Sequence, residues 1–316
     1  MSASHYENPR IDHPDQAGDA AAGTVSLDRT KLLWVGSMFL LGTVGSALTV
    51  TTSGILLFLG FTAFTLCLGH SLGMHRLFIH GSYRAPKLFE YFLVHLGVLV
   101  GLAGPLGMLR THDLRDWAQR QARCHSYFAH GEAWYRDLAW QLVCSIRLSR
   151  PPTIDIEPAI ADDPVYRFME RTWMLQQLPW ALAFFAIGGW SWVCWGIGSR
   201  VSVSILGHWL VGYFAHNEGG KDWHVDGAAV QGHNVPFVAL LTMGESWHNN
   251  HHAFPGSAKL GLEPDQWDPG WWVLKLFERL GLVSDFVLPE HLPARRELRR
   301  ITHHTGDGRA SAEAGC

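Results

Sequence analysis

Charge is scarce in this chain: only 17% of its 316 residues are Asp, Glu, Lys or Arg, and the formal net charge is −3. The basic residues are spread along the loops and build no patch for reading a nucleic acid, which excludes that class of partner. The five cysteines, Cys67, Cys124, Cys144, Cys194 and Cys316, lack pairing spacings, and two fall inside apolar runs. No disulfide framework is implied, and a reducing cytoplasmic side fits. The first apolar run, after Lys31, has no small-residue cleavage site behind it and reads as an anchor, not a removable leader. Residues 1–30 have no apolar periodicity and are expected to form a disordered tail, as is the charged segment 291–316.

Apolar side chains are plentiful instead, at 47%, together with 15 Trp and 19 His. Four runs have roughly the 20-residue length that a bilayer asks for, at about 32–50, 54–70, 180–198 and 201–216. Thr51-Thr52-Ser53 joins the first pair and Ser199-Arg200 the second, so two helical hairpins are expected, each returning to the side where it began. Trp34, Trp180, Trp190, Trp192, Trp195 and Trp209 near the run ends suit the membrane interface. Arginines crowd the central loop and the C-terminal part, while the opposite turns are almost free of positive charge. The positive-inside tendency therefore puts both termini and the central loop in the cytoplasm. A further apolar stretch, 88–108, is broken by Gly97, Gly101, Gly104, Pro105 and Gly107, and is read as re-entrant or interfacial.

The string Trp247-His248-Asn249-Asn250-His251-His252 places three imidazoles at i, i+3 and i+4, so that on a helix they leave one face together. This is metal-ligand geometry. A solvated loop is the duller reading, but turn-forming flanks on both sides suggest an ordered segment. A second string, from Gly69-His70 to His75-Arg76-Leu77-Phe78-Ile79-His80, lies directly behind an apolar run. Together the strings suggest a metal site at a membrane face.

These residues resemble a known family. His75 to His80, followed by Gly81-Ser82-Tyr83, looks like the first histidine box of the membrane fatty acid desaturases of the acyl-CoA Δ9 type. Gly244 to Pro255 looks like the third box, and Tyr213-Phe214-Ala215-His216 resembles the family's additional histidine ligand. The likeness spans roughly residues 30–290. It implies an all-α protein of four transmembrane helices under a cytoplasmic helical cap. It implies also a non-haem centre of two irons and the O2-dependent insertion of a double bond into a fatty acyl chain, carried on CoA or in a lipid. A separate electron donor, a ferredoxin or cytochrome b5, is expected, since no such segment with its own core follows residue 290.

The family's second box is Trp followed four residues later by His-Arg-x-His-His. Framed on Trp117, it leaves Gln121 and Cys124 where two histidines belong and retains only His125. The expected ligand set is therefore His75, His80, His125, His216, His248, His251 and His252, with His112, His130 and His70 as further candidates. On an α-helix His75 and His80 diverge by roughly 140° and are expected to reach two different metals, while His248, His251 and His252 can serve both. His95 and His208 lie in apolar runs and read as satisfied buried histidines. His224 and His233 read as loop residues, and Glu245 or Asp226 as groups that orient a ligand ring. Arg110, Arg115, Arg120 and Arg123 would suit the phosphates of an acyl carrier. A related hydroxylase or ketolase, a non-catalytic family member and a haem protein using His95 and His208 are the competing readings.

Overall fold

A computed structural model describes residues 8–11 and 18–301. The chain enters as strand β1 (Asp19–Leu27), antiparallel to β2 (Cys144–Arg150). The expected N-terminal tail is thus ordered from residue 18 on, because the backbone groups of this polar segment find partners in β2. A second small sheet pairs β3 (Trp223–Val225) with β4 (Leu298–Arg300), within the expected C-terminal tail; residues 302–316 lie outside the described residues. Helices and the loops between them position the site.

Among the described residues three helices are long and apolar enough to cross a membrane: α1 (Arg29–Leu48), α2 (Thr52–Ile79) and α9 (Gln177–Asn217). Asp28 caps α1, accepting from the amides of Thr30 and Lys31, and Thr51 caps α2 through Gly54. At 41 residues α9 would be about 60 Å long if straight, twice the hydrocarbon thickness. It is not straight. Gly189 takes φ +61°, open to a residue without a Cβ, and the chain folds back there. Phe184, Val193 and Ile197 consequently share one apolar cluster, although a continuous helix would hold Phe184 and Ile197 about 20 Å apart. The second hairpin therefore turns at Gly188-Gly189, not at Ser199-Arg200 as its polarity suggested. Both hairpin turns meet at one end of the bundle, where Thr51 Oγ1 lies 2.6 Å from Ser191 Oγ and Trp192 Nε1 donates to Ser53 Oγ at 3.1 Å.

Arg200 belongs inside this bundle. Its guanidinium is fully buried and donates to the carbonyls of Leu99 (2.5 Å) and Gly196 (2.8 Å) and to Gln177 Oε1 (2.6 Å). Leu99 ends α3 (Lys87–Leu99), so the cation sits on the negative end of that helix.

The 88–108 stretch is α3, a reversal through Gly101 and the start of α4 (Pro105–Arg120). It leaves the site at His80 and is back by His112, whose rings are 4.8 Å apart. Helix α3 lies against α2 so closely that a Cβ on Gly69 or Gly73 would run into the backbone of Leu96 or Leu93. Such small-residue seams replace the hydrophobic drive that apolar helices lack in lipid. Short helices α5 (Ser126–Ala129), α6 (Trp134–Val143), α7 (Pro158–Ala161) and α8 (Pro164–Thr172) follow, and after the second hairpin α10 (His248–Ala253) and α11 (Pro269–Arg279).

The seam makes a simple prediction. Gly73→Leu should destabilise the protein by about 1–3 kcal/mol or more through overpacking, whereas Gly60→Leu, on the same helix with nothing within 4 Å, should not. The thermal midpoint of the detergent-purified variants distinguishes the two.

Candidate metal centre

From Thr65 to Ile79, α2 is wound as a π-helix, with the His80 amide bonding to the His75 carbonyl at 3.1 Å. Residues five apart are then one turn apart, and His75 and His80 fall on the same face. Their rings stand 4.8 Å apart in one cluster, contrary to the divergence expected of an α-helix. His112 on α4 and His251 on α10 complete this group, with one nitrogen of each of the four rings within 4.8 Å of the others.

A second group consists of His216, His248 and His252. His216, near the end of α9, has Nδ1 on the Gly212 carbonyl (2.6 Å), which turns Nε2 into the site, where the Gln119 amide stands 3.0 Å from it. His248 Nε2 is 3.1 Å from both His216 Nε2 and His252 Nε2. A cation about 2.0–2.1 Å from each nitrogen would produce separations of this size, so the donor set fits a metal ion. In the first group the donor set fits as well, since His80 Nε2 and His251 Nδ1 are buried without a hydrogen-bonding partner. Helix α10 serves both groups, giving His251 to the first and His248 and His252 to the second.

The surrounding shell fixes these rings. Glu245 stands 2.7 Å from His75 Nδ1 and accepts from Ser71 Oγ at 2.5 Å, the carboxylate–histidine pairing that orients metal ligands. Burial pushes the Glu245 carboxyl up, but His75, Arg76 and Ser71 together outweigh it and hold it down to about 2. Arg76, 1% exposed, donates to Asp268, to the Ala258 carbonyl (2.8 Å) and to the Met243 carbonyl (3.1 Å), pinning the loops on either side of α10. Asn249 and Asn250 anchor α10 itself. Asn249 accepts from the amides of Asp222 and Trp223, and Asn250 donates to the Leu260 carbonyl and Gln266.

Six of the seven expected histidines thus come together, and His125 does not. It caps α5, accepting from the Tyr127 amide at 3.1 Å, and packs by Trp140. Gln121 and Cys124 also lie outside both groups: Gln121 ends α4, and Cys124 packs with Tyr127 and Trp140. The histidine that α4 brings to the site is His112, and a frame begun there, His112-Asp113-Leu114-Arg115-Asp116, puts Arg115 and Asp116 at the i+3 and i+4 positions that His251 and His252 hold in the third box. A single histidine, directly after the 88–108 stretch, is all that marks this frame in the sequence. His70 is outside the two groups, its ring 5.3 Å from His208, and His95 accepts from Trp180 Nε1. His130 bonds Asp137 and Arg115, with its ring stacked on His216 at 5.3 Å.

One cavity of about 280 Å³ joins the histidines to the bundle. His75, His112, His248 and His251 line its polar end, and Trp34, Val35, Leu102 and Ile205 its apolar wall.

A family model described as fatty acid desaturase matches residues 49–259. The chain is 32% identical to the sn-1 stearoyl-lipid 9-desaturase of Anabaena variabilis, over 83% of this chain and 96% of that one. It is 29% identical to the acyl-CoA C20 Delta5-desaturase of Anemone leveillei, over 75% of each. To the Delta-9 acyl-lipid desaturase 2 of Arabidopsis thaliana it is also 29% identical, over 72% of this chain and 73% of that one.

Burial and, next, the charge of Arg120 lower His252 to about 3, and burial holds His248 and His251 well below their ordinary 6.5. All three are neutral and ready to ligate at neutral pH. In metal-free protein the unfolded chain takes up protons there and the folded chain does not, so stability is full above pH 6.5 and falls below it. The loss should reach about 1.4 kcal/mol per histidine per pH unit. Thermal midpoints of metal-free protein should drop between pH 8 and pH 5.5, and less so in His252→Gln.

Proposed function

The chain belongs to the membrane fatty acid desaturase family and desaturates fatty acyl chains, and from that premise we propose that it works with two irons, one at each histidine group, on acyl chains carried in lipid. The observation that supports the two-iron reading best is the division of the third box, His251 to one group and His248 with His252 to the other. Bound iron supplies the O2-derived oxidant that side chains cannot provide for removing hydrogen from unactivated methylenes. The reaction balances when a –CH2–CH2– unit, O2, two electrons and two protons become –CH=CH– and two waters.

The protein's own share is positioning. An acyl chain along Trp34, Val35, Leu102 and Ile205 would bring its methylenes to His75, His112, His248 and His251. Glu245 and Gly212 hold the rings of His75 and His216 so that their other nitrogens face inward. The electrons come from a separate donor, a ferredoxin or a cytochrome b5.

Two observations favour a lipid-borne substrate over acyl-CoA. The stearoyl-lipid desaturase of Anabaena variabilis aligns along nearly its whole length. Of the arginines suited to a carrier's phosphates, Arg115 and Arg120 are committed to His130, Gln141 and Asp116. In cells that express the protein, a new monounsaturated acyl species should appear, and His251→Ala should abolish it. A pulse of labelled fatty acid should show the unsaturated product in membrane lipid before it enters the acyl-CoA pool; the reverse order would assign the reaction to acyl-CoA.

We read the bundle as four crossings with both termini and the histidines in the cytoplasm. The meeting of the two hairpin turns at one end, and the arginine distribution, support that reading. Reporters inserted at Thr51 and at Gly188 should both report the outside. A cytoplasmic signal at either position would refute the orientation.

A further inference from the structure

The second box retains one histidine. His112 joins the first group, while Arg115 and Asp116 stand where the family pattern His-Arg-x-His-His carries its other two. Arg115 has no lone pair to offer a metal. Its guanidinium is spent on His130 Nε2 and Gln141 Oε1, each at 2.7 Å, and His130 in turn reaches Asp137 at 2.9 Å, so the cation is balanced at one remove.

Asp116 is placed differently. It is 6% exposed, one helical turn from His112 on the same face of α4, and it lines the cavity that His216, His248 and His252 also line. Arg120 Nε donates to its Oδ2 at 3.1 Å, and the same guanidinium reaches the His252 carbonyl at 3.2 Å, which ties the carboxylate to the third-box helix. Among the described residues Oδ1 accepts no hydrogen bond. A buried carboxylate that lines this cavity, with one oxygen steered by an arginine and the other unbonded, has the form of a monodentate ligand with a supporting partner, although it stands outside the 4.8 Å group that the three imidazole nitrogens make.

The second group has room for one, because three nitrogens leave a metal ion one ligand short of four-coordination, a place that a carboxylate or a water fills. Of the other polar groups nearby, Gln119 donates to the Phe128 carbonyl at 2.7 Å and stands 3.0 Å from His216 Nε2, and both His130 nitrogens are bonded. We propose that Asp116 is an oxygen ligand of the metal ion held by His216, His248 and His252. This chain's second metal position is then a three-histidine, one-carboxylate site beside a four-histidine first position. It suits a harder cation than an all-nitrogen site would.

The proposal rests on the two-metal reading above, and cobalt(II) titration of the stripped full-length protein separates the two. Metal per chain is measured directly and coordination from the visible cobalt bands. The parent should bind two ions. Asp116→Asn should keep the first and bind the second at least about tenfold more weakly, and the retained first ion shows that the variant is folded. Asp116→His should bind two again, with bands shifted toward all-nitrogen ligation. Two ions with parental affinity and spectrum in Asp116→Asn would overturn the role of Asp116, as would parental bands in Asp116→His. A parent that binds no cobalt would instead overturn the metal-centre reading and this proposal with it.

Discussion

Imidazole lone pairs aimed at a common point repel one another, and seven of them directed at two neighbouring points can be assembled only by a backbone that has no freedom to let them part. The contacts of 3.1 Å from His248 to His216 and to His252 express this constraint most sharply. Four separate stretches of chain have to be immobilised at once. Arg76 does so for the loops around α10, Asn249 and Asn250 for α10 itself, and the glycine seam for α2 against α3. Burial then keeps His248, His251 and His252 neutral, which relieves their mutual repulsion and leaves their nitrogens available.

The π-wound part of α2 shows how local winding decides chemistry. Wound as an α-helix, the same residues would send His75 and His80 apart. Wound as it is, they close around one position with His112 and His251. The price of the irregular winding is poorer hydrogen-bond geometry over fifteen residues, offset by the dense packing of that segment on α3.

The apolar runs and the first and third histidine boxes were legible in the sequence, because long hydrophobic segments and i, i+3, i+4 histidines each have a single physical reading. What escaped were features whose signals point the wrong way. Ser199-Arg200 looked like a turn because it is the polar break in an apolar run, yet Arg200 is buried and the true reversal hides in Gly188-Gly189, which carries no polarity at all. The second box was framed on Trp117, since replacement of two histidines by Arg115 and Asp116 had erased its usual mark; His125, Gln121 and Cys124 then took places that belong to His112 and its neighbours. The strand β1 was missed because its partner, β2, lies more than a hundred residues away.

Arg200 carries a consequence for how the chain is made. A lone arginine at the centre of an inserting helix costs about 2.5–3.5 kcal/mol, and its acceptors here are Gly196 in the same helix, Gln177 in the preceding arm and Leu99 on α3. All three emerge from the ribosome before it does. By the time the last arm reaches the bilayer, the carbonyl end of α3 and the amide of Gln177 are already in place to receive the charge, so the order of synthesis matches the order in which the bundle can be closed without leaving a bare cation in lipid.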